Sequence, residues 1–348
     1  MKKVLLGTAA VAFGLILAAP AKAEVKLDLA GHFKGYVFYT DQDDLAGGAE
    51  PRAFDIVRDT EIHFTGETTL DNGLTVGFHT EADIDDEDTF TTEESYAYFS
   101  GSWGRVNFGK EDGAAYLLQV AAPSADDNYD GIRQYVSPFN TTGLSASVDY
   151  ANDVAVGENK ITYLTPVFSG FQAGVSYTPE LGGGSQGVAS NISNDANDLG
   201  DVYEAAVRYD GQFDNVGFTV GAGYELASQD GADGGAVTDD LQEWNVGLDL
   251  NWSAFGLGAV YTTTDSGTDS DVDTWVVGAD YTTGPYKLGV SYLNQDADAG
   301  TETDRYTGGV VYTYGPGLTF RGSVSYVDVD AAADSDGTSV LLGTQINF

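Results

Sequence analysis

Asp273-Thr274-Trp275-Val276-Val277-Gly278-Ala279-Asp280-Tyr281-Thr282-Thr283, then Gly284-Pro285, then Tyr286-Lys287-Leu288-Gly289-Val290-Ser291-Tyr292-Leu293: this stretch decides the fold. Trp275, Val277, Ala279 and Tyr281 fall on one face of an extended chain, and Thr274, Val276, Gly278 and Asp280 on the other. After the Gly-Pro turn, Tyr286, Leu288, Val290 and Tyr292 oppose Lys287, Gly289, Ser291 and Leu293. Side chains that alternate at a period of two mark strands with one apolar and one polar or small face. A two-residue Gly-Pro link makes the pair a hairpin.

The same pattern continues in both directions. Leu318, Phe320, Gly322, Val324 and Tyr326 oppose Thr319, Arg321, Ser323 and Ser325, and similar segments lie near 203–210, 216–226, 244–252 and 255–263. The last strand, Ser339 to Phe348, places Val340, Leu342, Ile346 and Phe348 on one face. Periodicity alone does not say whether the apolar face packs a core or meets lipid. Three features favour lipid. Aromatics fall near strand ends on the apolar face, as at Tyr150, Tyr177, Tyr209, Tyr224, Trp252, Tyr281, Tyr286, Tyr292 and Tyr312, which suits an interfacial girdle. Connections alternate between short turns (Asp71-Asn72-Gly73, Ser253-Ala254, Gly284-Pro285, Gly315-Pro316) and long Asp-, Gly- and Ser-rich loops near 41–54, 111–131, 179–201, 227–240 and 329–338. The chain ends on an aromatic strand.

The expected fold is therefore all-β: a single-domain transmembrane antiparallel β-barrel of 16–18 strands, with its third long loop after residue 110. Nine long excursions joined by eight short turns give eighteen strands, with weak segments at 104–110 and 132–137. Either number leaves room for an aqueous lumen.

Composition agrees with an exported membrane protein. Lys2 and Lys3, an apolar run from Val4 to about Ala19, and Ala21-Lys22-Ala23 make residues 1–23 a secretory signal peptide, leaving 24–348 as the barrel. No later stretch reaches the ~18 apolar residues of a membrane helix, and a closed barrel is the other way to span a bilayer with every backbone group paired. Three of the 15 basic residues and none of the 54 acidic ones lie in that leader, so the remainder carries a formal charge of −42. Such a surface excludes nucleic acid as a partner. There is no cysteine, so no disulfide contributes. With 12 % aromatics the chain does not read as acidic disorder.

Several segments, in order along the chain, make it resemble the Gram-negative general porins, alphaproteobacterial type. They are Ala30-Gly31-His32-Phe33-Lys34-Gly35-Tyr36, Phe64-Thr65-Gly66-Glu67-Thr68, the run Tyr96-Ala97-Tyr98-Phe99-Ser100-Gly101-Ser102-Trp103-Gly104-Arg105-Val106-Asn107-Phe108-Gly109, Tyr135-Val136-Ser137-Pro138, and the final Phe348. The resemblance implies a homotrimeric diffusion channel in the outer membrane. It also implies a third loop folded into the pore, and a terminal Phe348 read by the barrel-assembly machinery.

On that basis the constriction is expected from Glu111, Asp112, Asp126, Asp127 and Asp130, with Ala114 to Pro123 packed on the inner wall. Carboxylates in a narrow, low-dielectric ring act strongly on passing ions. Alternation turns Lys26, His32, Lys34, Glu61, His63, His79 and Glu81 toward the lumen, and gives Arg105, Arg133, Lys160, Arg208, Arg305 and Arg321 inward parity. The family tends to place a basic cluster on this wall. Here the wall is mixed, and Glu61 and Tyr96 stand where better-known members carry basic residues, which weakens the transverse field. Three lumen histidines invite a transition-metal reading. Set at different heights, they read more readily as hydrated wall residues that titrate near neutral pH.

The acidic runs Asp41-Gln42-Asp43-Asp44, Asp83 to Asp88 and Asp265 to Asp273 could hold Ca²⁺ or bridge divalent cations to lipopolysaccharide. The expected function is passive, weakly cation-preferring diffusion of small hydrophilic solutes. Alternatives are a substrate-specific channel, which needs an aromatic track in the lumen, and a secreted acidic calcium-binding or adhesive β protein. An outer-membrane hydrolase would need its histidine on the lipid side, where none falls.

Overall fold

The computed structural model describes residues 24–44, 50–85, 90–140, 144, 148–181, 199–229, 239–268, 271–298, 300–331 and 334–348. The leader assigned to 1–23 lies outside the described residues, as do 86–89 and 269–270 of the acidic runs.

Sixteen strands form one closed antiparallel barrel. They are β1 (Lys26–Gln42), β2 (Phe54–Thr69), β3 (Thr75–Asp83), β4 (Thr91–Gly101), β5 (Gly104–Lys110), β6 (Asn159–Leu164), β7 (Phe171–Glu180), β8 (Leu199–Phe213), β9 (Val216–Gln229), β10 (Leu241–Trp252), β11 (Phe255–Asp265), β12 (Val272–Thr283), β13 (Tyr286–Ala297), β14 (Thr301–Gly315), β15 (Leu318–Asp330) and β16 (Ser335–Asn347). Each strand pairs with its sequence neighbour, and β1 closes on β16 with His32 opposite Asn347 and Gln42 opposite Gly337. Closure removes both sheet edges, so no row of backbone groups is left to lipid.

The count of eighteen is corrected to sixteen. Segment 104–110 is the strand β5, but 132–137 is not a strand. All of 111–158 is one connection, so the third loop is far longer than 111–131. Its sequence lacks the sustained alternation of the other segments. It holds two single-turn helices instead, α1 (Ala114–Leu117) and α2 (Asp127–Asp130). Tyr150 is buried within this connection rather than in a girdle, and Arg133 belongs to the loop rather than to the wall.

Outside, the apolar rows face lipid. Trp275, Val277, Leu288, Val290, Val324 and Leu342 are exposed on the outer surface. Aromatics pair directly across strands in two bands. Phe255 opposes Tyr281 with ring centroids 4.8 Å apart, and Tyr286 opposes Tyr312 at 4.9 Å, near the short turns. Tyr261 opposes Trp275 at 4.4 Å and Tyr292 opposes Tyr306 at 4.9 Å, near the long loops. Trp275 and Tyr281 lie six residues apart on β12, roughly 20 Å of strand. That separation suits an apolar belt of about 25 Å.

The buried apolar residues lie inside, between the inserted connection and the inner wall. Tyr129, Val136, Phe139 and Leu144 pack with Tyr36, Phe38, Val327, Val329 and Leu341. Ala122, Val148 and Tyr150 pack with Val260, Val276 and Leu293.

Candidate functional site

The connection 111–158 lies along the inner face of β6 to β13, and its tip reaches β14 to β16 and β1. Glycines on the inner wall make its bed. A side-chain Cβ at Gly278 would sit 1.7 Å from Pro123 O, and one at Gly247 would sit 2.8 Å from Val120 Cβ. Only glycine permits backbone contact that close.

Polar side chains lock the segment in place. Glu204, Glu225 and Glu243 stand opposite one another on β8, β9 and β10. Glu204 accepts from Ala115 N at 3.1 Å, Glu225 from Val154 N at 2.9 Å, and Glu243 from Asn152 Nδ2 at 2.7 Å. They satisfy backbone and amide donors that would otherwise be buried without partners. At its two flanks, Arg305 on β14 donates to Val148 O at 2.8 Å, and Lys160 on β6 donates to Ala155 O at 2.7 Å and to Glu111 O. Arg321 pairs with Asp126 at 2.5 Å and with Asp127.

This placement leaves a passage on the other side, against β1 to β4. It is a cavity of about 920 Å³. Its walls include His32, Lys34, Glu61, His63, Glu81, Glu93 and Glu94 on the barrel side, and Glu111, Asp112, Tyr116, Asp127, Arg133, Tyr135, Asp149 and Asp153 on the loop side. Nine of the lining residues are carboxylates and three are lysine or arginine. Two of those cations are already committed. Lys34 Nζ is 2.6 Å from Asp59 Oδ2 and lies over the Tyr135 ring, and Arg133 bonds Asp112 and Asp153 while covering the Tyr116 ring.

The five expected loop acids separate into two groups. Glu111, Asp112 and Asp127 line the passage. Asp126 and Asp130 do not, because both are buried struts. Asp126 accepts from the Tyr36 hydroxyl at 2.9 Å, and Asp130 accepts from Ala125 N at 3.1 Å and Asp126 N at 2.9 Å and from Ser291 Oγ. Burial pushes the Asp130 carboxyl above the usual range. Asp127 faces the passage; the enclosing lumen desolvates it in the same sense, but the Arg321 guanidinium outweighs this and holds that carboxyl below the usual range. Burial pushes Glu111 up to about 7, against the pull of Arg105 and a 2.6 Å hydrogen bond from Asn107.

The Gram-negative porin family profile matches residues 7–332. The chain belongs to the Gram-negative porin family. Its place is the outer membrane, where such barrels span the bilayer. The anion-selective porin from Comamonas acidovorans shares its fold at TM-score 0.66 and 20 % identity, over 93 % of this chain and 100 % of that one. A variant of the Rh. blastica porin aligns at TM-score 0.60 and 19 % identity, again over 93 % and 100 %. Outer membrane protein U of Vibrio vulnificus (strain CMCP6) is 26 % identical over 181 residues, 44 % of this chain and 53 % of its own length, so the match spans about half of that relative.

The remaining expected wall residues fall in distinct places in this porin. Lys26 sits exposed at the short-turn end of β1, opposite Glu67 in register. Arg105 lies over the Tyr98 ring at 4.1 Å and bonds Asn107 at 2.6 Å. His79 lies beside Glu81, its Nε2 2.8 Å from Oε1. Phe348 exchanges two backbone hydrogen bonds with Gly31, each 3.1 Å, and so completes the seam.

Sequence reading passed over Glu93, Glu94, Asp149 and Asp153 of the passage and the three docking glutamates. Asp149 and Asp153 escape notice because 132–137 reads as a strand and Tyr150 as a strand-end aromatic. The docking trio carries a readable signal: three inward-parity glutamates on consecutive strands at one level.

Proposed function

We propose that this porin is a passive, weakly cation-preferring diffusion channel for small hydrophilic solutes and ions. One observation carries the reading: carboxylates outnumber lysine and arginine nine to three around the passage. Fixed charge in a water-filled constriction enriches counter-ions and excludes co-ions. The Comamonas acidovorans relative is described as anion-selective, and at 20 % identity it shares only the fold. Selectivity here is a property of these side chains.

Glu111, Asp112 and Asp127 form the loop side of the constriction, facing Lys34, Glu61, His63 and Glu81. Three copies assemble as a homotrimer, as in the trimer form of OmpT of Vibrio cholerae, which shares the fold at TM-score 0.60 and 15 % identity. The acidic outer loops meet lipopolysaccharide through divalent cations such as Ca²⁺. Phe348 serves the barrel-assembly machinery.

Reversal potentials across planar bilayers under a KCl gradient test the charge reading. Modest cation preference is expected. Clear anion preference would refute it.

A further inference from the structure

The three histidines of the chain step along the barrel by register yet stand side by side. They form one patch on adjacent strands: His32 on β1, His63 on β2 and His79 on β3, with 5.8 Å between ring centroids at each step. Register explains this. Ala30 opposes His63 and Thr65 opposes His79, so each histidine is offset from the next by one inward position.

Two glutamates interleave with the rings. His63 Nε2 is 3.0 Å from Glu61 Oε2, and its Nδ1 is 3.0 Å from Glu81 Oε1. His79 Nε2 is 2.8 Å from the same Glu81 oxygen, while its Nδ1 is 2.7 Å from the Thr65 hydroxyl. His32 Nε2 is buried, has no hydrogen-bond partner, and sits 3.6 Å from Glu61 Oε1 and from Asp59 Oδ2.

A neutral imidazole has one N–H donor and one lone pair. His63 turns both nitrogens toward carboxylate oxygens, so a neutral ring would set one lone pair against another. A second proton on the ring, or a metal ion between nitrogen and oxygen, removes that conflict. The ligand atoms of His63, His79 and Glu81 lie within 4.8 Å of one another. Tetrahedral ligands about 2.0 Å from zinc stand about 3.3 Å apart. The observed contacts of 2.8 and 3.0 Å need to open by only a few tenths, within side-chain rotation. Thr65 supplies the outer hydrogen bond on Nδ1 that orients a ligating imidazole.

We propose that His63, His79 and Glu81 bind one divalent transition-metal ion of the zinc class, with His32 and Glu61 as flanking ligands. Imidazole nitrogens select such an ion over Ca²⁺ or Mg²⁺, which take oxygen. Two histidines and one carboxylate leave a coordination position for water on the lumen side. His63 and Glu81 line the passage, so the bound ion places positive charge opposite Asp127 and lowers cation preference.

The test is equilibrium dialysis of the EDTA-stripped, folded porin against micromolar Zn²⁺, with millimolar Mg²⁺ present to occupy the oxygen-rich loops. About one zinc per protomer is expected. The variant His63→Ala, checked for its folded barrel by heat-modifiable gel mobility, should lose it. Zinc no higher than in a detergent blank, or unchanged binding in His63→Ala, would overturn the site. Co²⁺ on the unaltered protein gives a second readout that needs no variant. A tetrahedral visible absorption band supports imidazole ligation, and an octahedral spectrum refutes it. Neither measurement depends on the ion preference of the channel, so failure of one proposal leaves the other standing.

Discussion

Arg321 Nη1 on β15 lies 2.5 Å from Asp126 Oδ1, joining the tip of the inserted segment to the wall across 195 positions of sequence. Both side chains are nearly enclosed, at 7 % and 2 % exposure. Breaking a buried pair leaves one charge without a partner, at about 3–5 kcal/mol. Arg321→Met is therefore expected to lower the unfolding temperature of the folded barrel and to free the tip. Single-channel recordings should show added current noise, and the loss of one positive charge should raise cation preference. Quiet channels of unchanged selectivity would show that the tip is held by its apolar contacts alone.

Gly278 and Gly247 make the opposite test, by adding atoms. The Cβ of Gly278→Ala would meet Pro123 O at 1.7 Å, and that neighbour is backbone, which cannot rotate away. Overpacking of this kind costs about 1–3 kcal/mol. The segment must lift off β12 toward β1 to β4, so the passage narrows. Lower single-channel conductance and slower liposome swelling in small sugars are expected. Gly315→Ala, where an added Cβ meets nothing within 4 Å, is the neutral control.

Phe348 closes the ring of strands. Its backbone nitrogen and oxygen both pair with Gly31, and its ring lies against the same glycine. Deleting residue 348 removes two backbone hydrogen bonds from the seam that closes the barrel. The amount of heat-modifiable folded porin in outer-membrane fractions should fall. Phe348→Tyr, which keeps the backbone and the ring, should restore it.

How much of this was legible depends on what repeats. β12 is readable almost to the residue, and β13 over its first eight, because lipid on one side and water on the other impose a strict period of two. The inserted segment obeys no period. Tyr135 and Tyr150 look like strand aromatics locally, but Tyr135 lines the passage under the Lys34 ammonium and Tyr150 is buried against Val260. Which acids line the passage was hidden for the same reason. Asp126, Asp127 and Asp130 are near neighbours in sequence, and only the three-dimensional path of α2 separates the exposed Asp127 from the two struts. The histidine patch was visible as parity on three strands, while its closeness depended on register, which is fixed by turn geometry that parity does not report.

Glu111 gives the porin a dependence on pH. Burial raises its carboxyl from the ordinary 4.5 to about 7, so the folded lumen favours the neutral acid. The stability contributed by this group is full below about 4.5 and is lost as pH rises through about 7. The lumen gains a negative charge over that upper step. Cation preference should therefore rise between about pH 5 and about pH 9, with its midpoint near the shifted value. Other titratable side chains line the passage, so the comparison has to be made against Glu111→Gln. That variant keeps the acceptor for Asn107 but cannot ionise. Reversal potentials measured across the range should show a smaller rise in Glu111→Gln than in the unaltered porin. Superimposable curves would place the whole pH response in the other groups of the passage and remove Glu111 from it.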